Sequence, residues 1–253
     1  MVNKVKQIWQ DGGAVVNGWL NIPNGFAAEM MAQAGWDSVT VDLQHGVQDY
    51  MSMVACFQAM QPHGVLPMVR VPWNEPGIIG KVLDAGAYGV IAPMLNTAQQ
   101  VREFVGYSKY PPMGTRSNGP VRANIYGPKT GYQATANAET MCIPMIETAD
   151  ALKNLEEILE VKGVDAVYVG PSDLGFSLGL APVLDREEPQ MLQAYERILN
   201  EAAKRGIPVC IHCATAVYAK RMIEMGFKLV TVSWDSAFIN AGARAAVAHV
   251  RGA

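Results

Sequence analysis

Short apolar runs alternate with longer amphipathic segments eight times along the chain. The runs 14–19, 38–42, 66–71, 89–92, 141–146, 166–169, 209–211 and 229–233 are rich in Val, Ile, Leu and Met, and read as strands. Between them, apolar residues recur at helical spacing over 26–34, 51–60, 77–85, 98–106, 149–159, 191–205, 217–225 and 237–250. Several of these segments stop at a glycine just before the next apolar run: Gly35, Gly86, Gly206 and Gly226. Glycine enters the left-handed conformation that ends a helix, so these positions are natural boundaries.

Short strands separated by helices imply parallel βα units, and eight of them in 253 residues predict a single-domain (β/α)8 TIM barrel over 1–253. The main alternative is an open doubly wound sheet, but no G-x-G-x-x-G follows the first strand. Two irregular inserts, 107–139 and 175–188, interrupt the rhythm. Long connections of this kind are usually functional, and both are expected to border the active face.

Composition narrows the partners. Half of the residues are hydrophobic, 17% are charged, and the net charge of −3 comes from interspersed signs. No basic face for nucleic acid or an anionic membrane is expected. Gly, Pro or charge breaks every apolar stretch, so no transmembrane helix is expected either. The opening MVNKVKQIWQDGG lacks the apolar core of a signal peptide, and the expectation is a cytoplasmic protein. In that compartment Cys56, Cys142, Cys210 and Cys213 are expected to be free thiols. The C-x-x-C of the last two lies in an apparent strand, GIPVCIHC, with no second such pair, which favours a structural over a redox or zinc role.

Chemistry in such a barrel collects at the carboxyl ends of the strands. Those ends carry Asp42 and His45, Arg70, Glu147 and Asp173, with His212 following the seventh strand. Glu147 and Asp173 form a natural pair, because two convergent carboxylates need a cation or a proton between them. Alternatively each caps the helix or turn that follows. Arg70, flanked by valines in MVRVPW, needs an anion: Asp42 in an ion pair, a substrate oxygen, or both. Histidine as a residue type has an unperturbed pKa near neutrality, so His45 suits a general base, whereas His63 and His249 read as surface residues. Gly170, Pro171 and Ser172 directly precede Asp173, and free backbone amides there can grip a carboxylate.

These residues sit in six motifs: VDLQHG (41–46), PMVRVPW (67–73), LDAGAYGVIAPM (83–94), KYPPMGTRS (109–117), PMIET (144–148) and VGPSDL (169–174). In that order and spacing, over nearly the whole chain, the sequence resembles the HpcH/HpaI family of class II pyruvate aldolases. The resemblance implies a metal-dependent aldolase that joins pyruvate or hydroxypyruvate to an aldehyde. It implies His45 as general base, Arg70 as stabiliser of the enolate-like oxygen, and Glu147 and Asp173 as ligands of one divalent ion (Mg, Mn, Co or Zn). The amides around Ser172 would bind the 2-oxo acid carboxylate. Asp84, an exposed helix residue on sequence grounds, would reach a neighbouring subunit's site and raise the basicity of its histidine. The implied assembly is a homohexamer, a trimer of dimers exchanging their last helices. Three positions depart from the family pattern: Gln44 where glutamate is frequent, Met145 in place of a glutamine, and Ser117 in place of a glycine. The departures affect substrate choice rather than reaction class. Trp19 and His212 are further candidates at the mouth of the site.

Two competing readings share the barrel. An acyl-CoA lyase of the malyl-CoA type would need a basic groove, which Arg102, Lys109, Arg116 and Arg122 could furnish. A non-catalytic 2-oxo-acid-binding barrel would need no base at all. A metal-dependent hydrolase would want histidine ligands, and only His212 is to spare. A Schiff-base aldolase would need a lysine at a strand end, and Lys81 lies on a predicted helix.

Overall fold

Eight parallel strands close on themselves in the computed structural model, which describes residues 2–252. They are β1 Val15–Leu20, β2 Ser38–Asp42, β3 Leu66–Arg70, β4 Gly89–Ala92, β5 Met141–Ile146, β6 Val167–Val169, β7 Val209–Cys213 and β8 Leu229–Val232. The last strand returns to the first, with Val16 opposite Val230, so no sheet edge is left open. The helices are α1 Lys4–Gln10, α2 Gly25–Ala32, α3 Tyr50–Met60, α4 Pro76–Asp84, α5 Ala98–Ser108, α6 Val121–Tyr126, α7 Gln133–Glu139, α8 Ala149–Lys153 and α9 Leu155–Leu159. They continue with α10 Pro171–Ser177, α11 Pro189–Ala203, α12 Ala216–Met225 and α13 Asp235–Arg251.

Alternation along the strands divides the core into two layers. Outward residues such as Val39, Val41, Val167 and Val169 pack beneath the helices. Inward residues such as Trp19, Met68, Met145, Tyr168 and Cys210 fill the barrel. The barrel interior also holds a polar layer: buried Asn17 donates to Thr231 Oγ1 (2.8 Å) and accepts from Ser38 Oγ (2.8 Å). Such groups are tolerated inside because they satisfy one another.

Several expectations from sequence are corrected. His212 lies inside β7 rather than after it, because the strand runs on to Cys213 and pairs His212 with Thr231 of β8. Asn154 divides the helix expected over 149–159, turning its side-chain amide to the Asn96 carbonyl (2.8 Å). The segment 107–139 is not structureless, since it carries α6 and α7. Nor does it border the carboxyl ends of the strands: it connects α5 to β5, on the amino-terminal side of the barrel. There buried Lys109 donates to the Asn137 and Thr140 carbonyls (2.9 and 2.6 Å) and pairs with Asp165. The second insert does follow a strand end. In it Asp185 accepts the amides of Ala214 and Thr215 (2.7 and 3.1 Å), tying the loop to the end of β7.

Helix α1, which the apolar pattern did not predict, covers the amino-terminal end of the barrel. Its Val5, Ile8 and Trp9 pack on the inward cluster, and Trp9 donates to the Lys228 carbonyl (2.7 Å). Helix α13 does the opposite. Beyond its first residue none of its side chains is buried, and Ile239, Val247 and Val250 are exposed. Among the described residues no helix is long and apolar enough to cross a membrane.

Candidate active site

A cavity of about 370 Å³ opens at the carboxyl ends of the strands. It brings together Trp19, Asp42, His45, Arg70, Glu147, Gly170, Pro171, Ser172, Asp173 and His212. Of the predicted residues only Gln44 and Asp84 stand outside its lining. A cavity at the other end of the barrel, about 200 Å³, is lined by Phe57, Tyr88, Arg122 and Tyr132 and contains no carboxylate.

Asp42 and Arg70 form the floor. Their strands are paired so that the two residues stand side by side. Arg70 donates from Nε to Asp42 Oδ1 (2.8 Å) and from Nη2 to Oδ2 (2.6 Å). The guanidinium also lies 4.9 Å from the centre of the Trp19 ring, and Trp19 Nε1 donates to Asp42 Oδ2 (3.3 Å). Asp42 is buried, and burial alone would raise its pKa. The hydrogen bonds and charge of Arg70, together with the Gln44 and His45 amides, outweigh it and hold the carboxyl below its usual value. Of the two readings of Arg70, the ion pair is therefore present. Its remaining nitrogen, Nη1, makes no hydrogen bond among the described residues, and the side chain lines the cavity.

His45 stands on the turn directly after β2, exposed at the mouth. Asp42 Oδ1 accepts the amides of Gln44 (3.0 Å) and His45 (3.3 Å), an Asx-type turn that fixes the loop. Gly46 is needed there, since a Cβ would collide with the Asp42 carbonyl. The Gln44 side chain leaves a buried Oε1 without a partner among the described residues.

Glu147 follows β5 and is buried at 2% exposure. It does not cap the next helix; Thr148 does. Instead its Oε1 accepts the Met94 amide (2.8 Å), which the chain aims by placing Met94 at φ 59°, a conformation disfavoured for a side chain of this kind. Burial and the negative charge of Asp173 push the Glu147 carboxyl up to about 7, against the pull of the Met94 amide and Arg70. Asp173 lies in the first turn of α10, and its side chain is exposed to the cavity. A Cβ on Gly170 would sit 2.6 Å from Glu147 Oε2, so glycine is what makes room for that oxygen.

This arrangement fits a hard divalent cation. A buried carboxylate, crowded by a second one and destabilised in its charged form, is relieved by a cation shared between them. Among the described residues no cluster of three or more His, Cys, Asp or Glu could hold a metal, so two carboxylates would leave further positions to water or substrate. The buried Cys210 and Cys213 take no part, and burial pushes both thiols up.

Asp84 is the residue that one chain does not bring to the cavity. It ends α4 and accepts from Arg116 Nη2 (2.6 Å), whose guanidinium lies over Tyr110 and Tyr132. Arg116 and Lys109 are buried in contacts of the amino-terminal side and Arg122 bonds to the Ala85 carbonyl (2.6 Å), and none of these three nor Arg102, the residues named for CoA phosphates, lines the cavity. Lys81 stacks on Tyr50 and does not line the cavity. Four lining residues escaped the sequence reading: Asn21, Tyr168, Leu184 and Trp234. Tyr168 had a signal, because valines on either side in VYV must face the helices and turn it inward.

The model of the family described as HpcH/HpaI aldolase/citrate lyase matches residues 18–240. A hydroxypyruvate/pyruvate aldolase from Rhizorhabdus wittichii is 39% identical over 251 residues, 99% of either chain. A 4-hydroxy-2-oxo-heptane-1,7-dioate aldolase from Escherichia coli is 32% identical, over 98% of this chain and 95% of that protein. Among solved structures, a protein of the same family from Burkholderia cenocepacia superposes with a TM-score of 0.91 at 31% identity, covering 99% of this chain and all of the other.

Proposed function

The chain belongs to the HpcH/HpaI aldolase/citrate lyase family, and from that premise we propose that it is a divalent-metal-dependent aldolase. It adds the enolate of pyruvate or hydroxypyruvate to an aldehyde, reversibly, giving a 4-hydroxy-2-oxo acid. The observation that carries this reading is the pairing of buried Glu147 with Asp173 in the cavity that also receives Arg70 and His45.

Glu147 and Asp173 hold the ion, which when bound supplies a Lewis acid that makes the protons next to the ketone more acidic. The N–H groups of Ser172 and Asp173, which as first-turn amides have no partner within their helix, bind the substrate carboxylate. His45 takes a proton from the carbon next to the ketone, leaving the enolate. Arg70 presents Nη1 to the enolate oxygen, and its pairing with Asp42 holds the guanidinium still while that charge develops. The enolate carbon then attacks the aldehyde carbon, and the alkoxide formed takes back the proton held by His45 to become the 4-hydroxyl. Cleavage runs the same steps backwards, with His45 taking the hydroxyl proton. The cavity lining contains no lysine for a Schiff base.

The exposed apolar residues of α13 support an assembly in which this helix packs against another copy, a hexamer built from dimers. In that assembly Asp84 acts on the histidine of a neighbouring site.

Incubation with pyruvate, an aldehyde and Mg or Mn, with the product followed by mass spectrometry, tests the activity. Formation of a 4-hydroxy-2-oxo acid that stops with chelator is expected. Product formed without metal and trapped by borohydride would refute the metal-dependent mechanism.

A further inference from the structure

His212 is a residue the mechanism above does not use. It faces into the barrel from β7 and lines the cavity. Its ring is held on three sides. The Trp19 ring meets it edge-on at 4.9 Å, Trp234 lies at 6.1 Å, and Nδ1 stands 3.3 Å from the Tyr168 hydroxyl.

The hydrogen bonds behind Tyr168 favour one placement of the proton on the ring. Ser38 Oγ donates to Asn17 Oδ1 (2.8 Å), which turns the Asn17 amide nitrogen onto Thr231 Oγ1 (2.8 Å). The Tyr168 hydroxyl donates to the same Thr231 oxygen (2.7 Å). With its one proton given away, the Tyr168 oxygen acts as an acceptor toward His212, so Nδ1 carries the hydrogen. Nε2 is left with a lone pair at the cavity. Burial, with the charge of Arg70 added and Asp42 opposing, holds the imidazole pKa at about 3, so the ring stays neutral and is no general base. Its ring neighbours are Trp19 and Trp234, and the Arg70 and Asp42 charges lie within reach of it in the same cavity.

We propose that His212 Nε2 is a subsite for a substrate hydroxyl, accepting its hydrogen bond beside the Trp19 and Trp234 rings. The proposal rests on the aldolase reading and adds to it the chemical feature by which substrates are chosen. A hydroxyl beside Nε2 gains a partner; a methyl in its place leaves a desolvated acceptor unpaired, a cost that discriminates between the two. That hydroxyl belongs either to the donor, as in hydroxypyruvate against pyruvate, or to the acceptor, as in glycolaldehyde against acetaldehyde.

The test measures kcat/KM ratios in two arms: hydroxypyruvate over pyruvate with one aldehyde, and glycolaldehyde over acetaldehyde with pyruvate. His212→Phe should lower one of the two ratios about tenfold, the worth of one hydrogen bond between neutral groups. The arm that responds identifies the substrate bearing the hydroxyl. His212→Gln, which keeps an acceptor oxygen, should restore most of that ratio. Unchanged ratios in both arms, with the native protein turning over pyruvate and acetaldehyde, would overturn the subsite and leave the aldolase reading standing. Absence of turnover in the native protein would overturn both. Nitrogen-15 NMR of the native protein supplies a readout independent of the variants' folding. The Nδ1–H tautomer of His212 is expected at neutral pH, and an Nε2–H tautomer overturns the proposal.

Discussion

Gly170 and Glu147 approach so closely that a Cβ on residue 170 would lie 2.6 Å from Glu147 Oε2. The carboxylate oxygen facing the cavity therefore owes its position to a missing side chain on the next strand end. Gly170→Ala should displace it and weaken divalent-ion binding at least tenfold by titration calorimetry, with the fold retained by circular dichroism. Unchanged affinity would mean that Glu147 is not a ligand.

The Asp42–Arg70 pair makes a separate prediction. Asp42 is 1% exposed, so Arg70→Met leaves a buried charge without its cation, a loss of about 3–5 kcal/mol of stability. Adding Asp42→Asn removes that charge and should recover most of the loss in urea titrations. Aldol activity should stay abolished in the double variant, because the group facing the enolate is gone. Activity restored together with stability would reduce Arg70 to a structural role.

Acid should destabilise the protein partly through His212. Its folded-state pKa of about 3 lies below the ordinary 6.5, so as pH falls through 6.5 the unfolded chain takes up a proton that the folded chain refuses. Stability is thus fully present above 6.5 and declines towards 3, by no more than about 2 kcal/mol at pH 5. Asp42, held below its usual value, adds a further loss at lower pH. In His212→Gln the slope of stability between pH 6.5 and 5 should flatten; an unaltered slope would place the titration elsewhere.

Much of this site was legible in the sequence, for a physical reason. Charges such as Glu147 and Asp173 stand out after apolar runs, and strand ends are where a barrel collects chemistry. The expected bounds of β2, β4 and β5 match the structure because apolar β-forming residues stop sharply at both ends. The end of β7 was expected at Ile211, two residues short of Cys213, since a histidine between two cysteines does not look like strand interior. The segment 107–139 misled more seriously. Its Pro, Gly and Asn content reads as loop, yet α6 and α7 are simply short helices without side-chain caps. Its side of the barrel was nevertheless implied by order, because a connection from helix to strand returns to the amino-terminal end. The pairing of Asp84 with Arg116 was beyond pattern reading, because it joins residues 32 apart through tertiary packing alone.

Helix α13 gives a prediction about assembly. Ile239 and Val247 are exposed on it. Light scattering should report a mass well above one chain for the native protein and a lower mass for Ile239→Asp combined with Val247→Asp. A native monomer would remove the role assigned to Asp84 in a neighbouring site.

The central claim is that His45 and the ion at Glu147 and Asp173 generate an enolate. The most direct test follows deuterium from solvent into the methyl group of pyruvate by NMR, with no aldehyde present. Exchange that requires Mg or Mn, stops with chelator and is lost in His45→Ala is the predicted result. Exchange that persists in His45→Ala, or its absence with every divalent ion and with hydroxypyruvate as well, would contradict the account.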